Sequence, residues 1–104
     1  MKIYVCSPYR GDVGRNVENA IKCCKFVINQ GHNPIAPHLY YTQFLNDNIP
    51  SERVTGMRLG AQVLVECDEV WVFGDKITVG MEDEIELAKR YGKRVIYLGG
   101  GKNL

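Results

Sequence analysis

Apolar and polar positions along the chain change their period several times, and each change marks an element. Lys2–Cys6 is a short apolar, β-branched and aromatic run stopped by Ser7-Pro8, which predicts a strand. From about Arg15 to Gln30, Val17, Ala20, Ile21, Cys24, Val27 and Ile28 recur at helical spacing, and Gly31 stands where a left-handed residue ends a helix. Asn33–Pro37 predicts a second short strand, and Pro34 restricts it to a late start or a sheet edge. His38–Pro50 has no period and reads as irregular. A second helix is expected near Ser51, with Ser51 as its cap, Glu52 in its first turn, and Val54, Met57, Ala61, Leu64 and Val65 as its apolar stripe. Val70–Phe73 is apolar throughout, the pattern of a strand covered on both faces. Gly74–Gly80 is a loop, Met81–Tyr91 a third helix ended by Gly92, and Arg94–Leu98 a fourth strand. The glycine-rich tail, Gly99–Lys102, is expected to be flexible.

Strands alternating with helices, and inner strands that are continuously apolar, predict an α/β fold. The expected architecture is a three-layer, flavodoxin- or Rossmann-like domain over residues 1–104, with a parallel sheet of about four strands and helices on both faces. Such sheets bind ligands beyond the carboxyl ends of their strands. Here those ends carry Ser7–Gly14, His38–Phe44 and Gly74–Gly80, which supply Tyr, Arg, His, Asp, Thr and Gly.

Composition narrows the function. Thirteen Lys+Arg against twelve Asp+Glu leave a net charge of +1, so nothing points to a nucleic-acid polymer or an anionic membrane. No apolar run approaches the roughly 18 residues of a membrane helix, and the N-terminal apolar stretch is shorter than a signal peptide's. Cys6, Cys23, Cys24 and Cys67 form no C-x-x-C pair, and the two His, His32 and His38, add no zinc spacing. Four reduced thiols in the cytoplasm, with no metal and no cofactor, are the expectation.

Glu84 is the most informative residue. Met81, Glu84, Ile85 and Ala88 fall on one helical face, which places a carboxylate toward the sheet, while Glu82, Asp83, Glu86, Lys89 and Arg90 fall outside. A buried, ionised Glu without partners costs several kcal/mol, on the order given by its desolvation, so such a position asks for a purpose. The plainer reading puts Glu84 at the edge of the stripe, reaching water or an Arg. Asp68 precedes the third strand, at its amino end, and reads as a turn residue. Ser7–Gly14, with Arg10 in it, reads either as an ordinary strand–helix loop or as an anion nest. Tyr4 reads as core, and His38 as a loop residue.

Together these residues resemble the nucleoside 2-deoxyribosyltransferase-like superfamily, which includes the 2′-deoxynucleoside 5′-phosphate N-hydrolases. The resemblance rests on Tyr4-Val5-Cys6 with Arg10-Gly11, on Pro37-His38, on Cys67-Asp68-Glu69-Val70-Trp71-Val72, and on Thr78-Val79-Gly80-Met81 running into Glu84-Ile85-Glu86-Leu87-Ala88. It covers about residues 2–98. It implies that Glu84 is a nucleophile on C1′, that Tyr4 orients it, and that Asp68 reaches the pocket to assist the leaving base. It implies that His38 supports sugar or base, and that Ser7, Arg10, Gly11, Thr78 and Gly80 hold a 5′-phosphate if there is one. Tyr9 and Met81 join them as substrate contacts. Glu82 departs from the pattern by adding negative charge near the phosphate position.

The implied activity is cleavage or transfer at the N-glycosidic bond of a (deoxy)nucleoside or its 5′-monophosphate. The alternative is a non-catalytic protein that binds a nucleotide or a nucleotide-derived signal. Gly56 and Gly60, four apart on the second helix, allow close packing on the sheet or on a second subunit, and a homo-oligomer is expected.

Overall fold

The computed structural model describes residues 1–99, so the expected flexible stretch of residues 100–102 lies outside the described residues. Lys2–Cys6 (β1), Asn33–Ile35 (β2), Glu69–Phe73 (β3) and Arg94–Gly99 (β4) form one sheet, ordered β2-β1-β3-β4, with every neighbouring pair parallel. The helices are Val13–Asn29 (α1), Pro37–Tyr40 (α2), Pro50–Glu66 (α3) and Val79–Arg90 (α4), and a 3₁₀ turn at Tyr41–Gln43 follows α2. This is an α/β, flavodoxin-like arrangement. Travel reverses between β1 and β3, the switch point where such sheets open a crevice. Among the described residues no helix is long and apolar enough to cross a membrane.

The twofold alternation of the strands divides the core. Ile3 and Val5 of β1, with Trp71 and Phe73 of β3, pack under Cys23 and Val27 of α1. Tyr4 and Cys6, with Val70 and Val72, face the other way, under Leu64 of α3 and Met81, Ile85 and Ala88 of α4. The register sets Tyr4 opposite Val70 and Cys6 opposite Val72, so both side chains of β1 look toward α4. Pro34 lies in β2, an edge strand, where its missing N–H breaks no ladder. Gly31, at φ +87°, follows α1 as expected.

Three expectations change. The segment read as irregular, His38–Pro50, begins with a short helix and a 3₁₀ turn, because Pro37 at the first position of α2 is pre-set for helical φ. Ser51 does not cap α3, which starts at Pro50 with Ile49 before it and no side-chain cap. On α1 the face that meets the sheet carries Ala20, Cys23 and Val27, with Phe26 set edge-on to Trp71 and Phe73. Ile21 and Ile28, expected inside, are 55% and 58% exposed. The apolar arc of α1 is wider than the sheet beneath it can cover.

The glycine pair of α3 faces inward. A Cβ on Gly60 would lie 3.9 Å from both the Tyr4 hydroxyl and the Pro37 Cβ, and one on Gly56 would lie 3.6 Å from Leu45 Cδ1. Gly60 therefore serves the close approach of α3 to β1 and α2, and Gly56 its approach to Leu45 in the loop before α3, both within one chain. Both distances are ordinary van der Waals contacts for a methyl group. Gly56→Ala is thus expected to raise stability by roughly 0.5–1 kcal/mol through helix propensity, read as a higher urea midpoint with unchanged slope.

Candidate active site

Two elements, β1 and α4, converge on one carboxyl group. Alternation along β1 puts Tyr4 and Cys6 on the same face, and helical spacing along α4 turns Glu84 toward them. The Tyr4 hydroxyl donates to Glu84 Oε2, and the Cys6 thiol, 3.5 Å away, donates to Oε1. Both carboxylate oxygens are therefore held from the sheet. The helix start that places Glu84 is set by Thr78, whose Oγ1 accepts the Met81 N–H at 3.2 Å.

Burial pushes the Glu84 carboxyl up to about 7. The hydrogen bonds from Tyr4 and Cys6 pull it back down, and Asp83 beside it pushes it up again. Burial, and then the Glu84 charge, hold the Tyr4 phenol well above its usual range, so it remains a donor. The same two causes push the Cys6 thiol far up. A thiol in that state donates a proton bond and does not act as a nucleophile.

Glu84 opens onto a cleft of about 410 Å³, within the range of sites for small molecules. Its floor is Tyr4, Ser7 and Met81, and α3 lends an apolar wall through Met57, Gly60 and Leu64. At one side Tyr9 and His38 stack obliquely, ring centroids 5.1 Å apart and planes 42° from parallel. Burial lowers the His38 pKa, opposed in part by Asp47. Arg10 also lines the cleft, but its Nε is 3.1 Å from Asp47 Oδ2, on the loop before α3.

All the residues expected in the site meet here except two. Ser7, Tyr9, Arg10, His38, Thr78, Gly80 and Met81 line the cleft with Tyr4 and Glu84. Gly11 lies in an adjoining shallow depression that shares Tyr9, Arg10 and Asp47 with it. Asp68 is a correction. It is exposed at the amino end of β3, its Oδ2 accepting the Lys2 N–H at 2.7 Å while its own N–H donates to the Lys2 carbonyl at 2.8 Å. The cleft lies at the opposite end of the strands, so Asp68 ties two strands together and touches no ligand there.

Residues without a sequence signal complete the site. Asn16, on α1, donates to the carbonyls of Tyr9 and Arg10 at 2.9 and 3.1 Å and so shapes the loop after β1. Asp47 could not be foreseen, since its meeting with Arg10 joins two loops far apart in sequence. Cys6 could have been, because it shares Tyr4's parity on a strand. Carboxyl groups outnumber cations around the cleft: Asp47, Glu52, Asp83 and Glu84 against Arg10 and Arg53. Asp12 already accepts the Arg15 N–H at the start of α1. Thr78 and Asp12 each satisfy one amide N–H in the first turn of their helix. Among the described residues, no three His, Cys, Asp or Glu stand together as metal ligands.

The chain belongs to the family described as Domain of unknown function (DUF7768), which it matches over residues 1–98. No curated protein matches it. Among solved structures it is similar to the 2-deoxyribosyltransferase of Bacillus psychrosaccharolyticus, a biocatalyst for nucleoside synthesis, with a TM-score of 0.78 and 18% identity. That match covers 95% of this chain and 72% of the other. A 2-deoxyribosyltransferase from Leishmania mexicana is similar with a TM-score of 0.58 and 16% identity, over 94% of this chain and 63% of that one. At these identities the likeness is one of fold.

Proposed function

We propose that this protein cleaves, or exchanges the base across, the N-glycosidic bond of an unphosphorylated 2-deoxynucleoside, with Glu84 as nucleophile. The observation that carries the reading is the Glu84 carboxyl, half-buried in the wall of a cleft and held on both oxygens by Tyr4 and Cys6. A carboxylate desolvated to that degree costs stability whenever it is ionised, which fits a group kept for its chemistry. Glycosidic cleavage uses it: the transition state is oxocarbenium-like, and a carboxylate beside C1′ stabilises that charge or traps it covalently. Glu84 Oε1 or Oε2 bonds to C1′, the C1′–N bond breaks, and the base leaves with that electron pair and takes up a proton. Water or a second base then displaces Glu84. A 2-deoxy sugar lacks the hydroxyl that withdraws electrons from C1′, so one well-held carboxylate goes further with it. The fold shared with two 2-deoxyribosyltransferases supports the same class of substrate.

The electrostatics of the cleft favour the nucleoside over its 5′-monophosphate. Arg10 is committed to Asp47, and a phosphate entering the cleft would meet Glu52 and Asp83 as well. Tyr9 and His38 offer an aromatic surface for a base, and a neutral His38 suits that contact.

Chromatography of deoxynucleosides and of their 5′-monophosphates after incubation with the protein tests the proposal. Free base is expected from the nucleosides, at least about tenfold faster than from the monophosphates. Preference for the monophosphate would overturn the charge argument. Tight retention of unchanged nucleotide by both the wild type and Glu84→Ala would mark a binding protein instead.

A further inference from the structure

The outward side of α1 carries a second apolar row. Val17, Ile21, Cys24 and Ile28 stand at intervals of four, three and four residues, the spacing of a coiled-coil seam. The residues of α1 buried on the sheet side are Ala20, Cys23 and Val27, and of the outward row only Cys24 packs in part against that core. Ile21 and Ile28 are each more than half exposed, whereas Val17 and Cys24 are partly covered. Val13, at the start of the helix, is 41% exposed and shares a surface depression with Phe44, which is 64% exposed. Phe44 in turn stacks edge-on with Tyr40, so an apolar strip runs from the C-terminal end of α1 to this aromatic pair. Among the described residues none covers Ile21, Ile28 or Phe44.

We infer that this strip pairs with the same strip of a second copy of the chain, α1 against α1 and antiparallel, about a twofold axis. The spacing is symmetric about the middle of the helix. With the axis between residues 22 and 23, Ile21 meets the partner's Cys24 and Val17 meets the partner's Ile28. A single helix can match itself in this way only if its flanking charges also match. They do. Glu18 and Lys25 are exposed and occupy the same flanking position of successive heptads. In the antiparallel register Glu18 faces the partner's Lys25, and Lys25 faces the partner's Glu18, which gives two ion pairs related by the axis. A parallel pairing would set Glu18 beside the partner's Val13 and Lys25 beside the partner's Ala20, with no ion pair at either position. The self-complementarity of an isologous interface thus selects both the occupant and its direction. This pairing replaces the glycine pair of α3 as the basis for an oligomer, since that pair is used within the chain. It does not depend on the activity proposed above.

Sedimentation equilibrium of the purified chain tests it. The expected mass is twice 11.8 kDa at tens of micromolar concentration. Ile21→Asp with Ile28→Asp should return the monomer mass with an unchanged circular dichroism spectrum, because both side chains already face water. Glu18→Lys and Lys25→Glu should each weaken association several-fold, and the two together should restore it. Ile21→Cys should form a disulfide with the partner's Cys24 under mild oxidation. A monomer at the highest concentration, a dimer indifferent to the two Asp substitutions, or charge reversals that add rather than cancel would each overturn the inference.

Discussion

Glu84→Gln is expected to abolish the proposed base release from 2-deoxynucleosides, by at least about 10³-fold, and to make the protein more stable above neutral pH. The two effects have one origin. Folding moves the Glu84 carboxyl from an ordinary 4.5 up to about 7, chiefly by burial. Between those values the native state holds the proton more firmly than the unfolded chain does. The stability from protonation is therefore complete below pH 4.5, declines as pH rises through about 7, and is absent above it. An amide carries no charge to desolvate and still accepts the Tyr4 hydroxyl. The variant should match the wild type at pH 4.5 and exceed it by about 2–3 kcal/mol at pH 8, or roughly 10 °C in Tm. Thermal unfolding across pH 4.5–8 measures the divergence. Equal or lower stability at pH 8 would mean that Glu84 does not carry a desolvation cost, and a variant that still releases base would remove it from the chemistry.

Tyr4→Phe is expected to lower the rate at pH 7 by roughly tenfold and to regain part of it at pH 9. The nucleophile must be ionised, so the wild-type rate should climb with pH through about 7, the value burial imposes on Glu84. The Tyr4 hydroxyl bond opposes that upward push. Removing the hydroxyl leaves Glu84 with a higher pKa, less of it is ionised at pH 7, and the rising limb of the pH–rate profile moves to higher pH. A uniform loss at every pH, with the limb in place, would make Tyr4 a packing residue. Tyr4 itself does not titrate in this range, since burial and the Glu84 charge hold its phenol well above 10.

Much of the site was legible in the chain. Helical spacing grouped Glu84 with Met81, Ile85 and Ala88 but also allowed it at the edge of that stripe, and the structure turns its carboxyl to Tyr4 and Cys6. Thr78 and Gly80 could be assigned to the loop that opens onto the cleft, and Tyr4 to a strand of the core. Asp68 shows what local reading does well. Its place before β3 put it at the amino end of the sheet, far from the loops, and the structure keeps it there, bonded to Lys2. The role implied by resemblance needed it at the other end. The face of α1 shows what local reading does poorly. Its apolar arc spans more than one side of the helix, so periodicity could not say whether Ile21 and Ile28 or Cys23 and Phe26 meet the sheet.

The sequence by itself determined the four strands, the three longer helices and the alternation that makes the sheet parallel, because period is a property of neighbours along the chain. Tertiary structure alone decided the grip of Cys6 on that carboxylate, the capture of Arg10 by Asp47, the closeness of Gly60 to Tyr4 and the outward row of α1. These depend on which surfaces meet, and residues 37 to 78 positions apart leave no mark of their meeting in any local pattern.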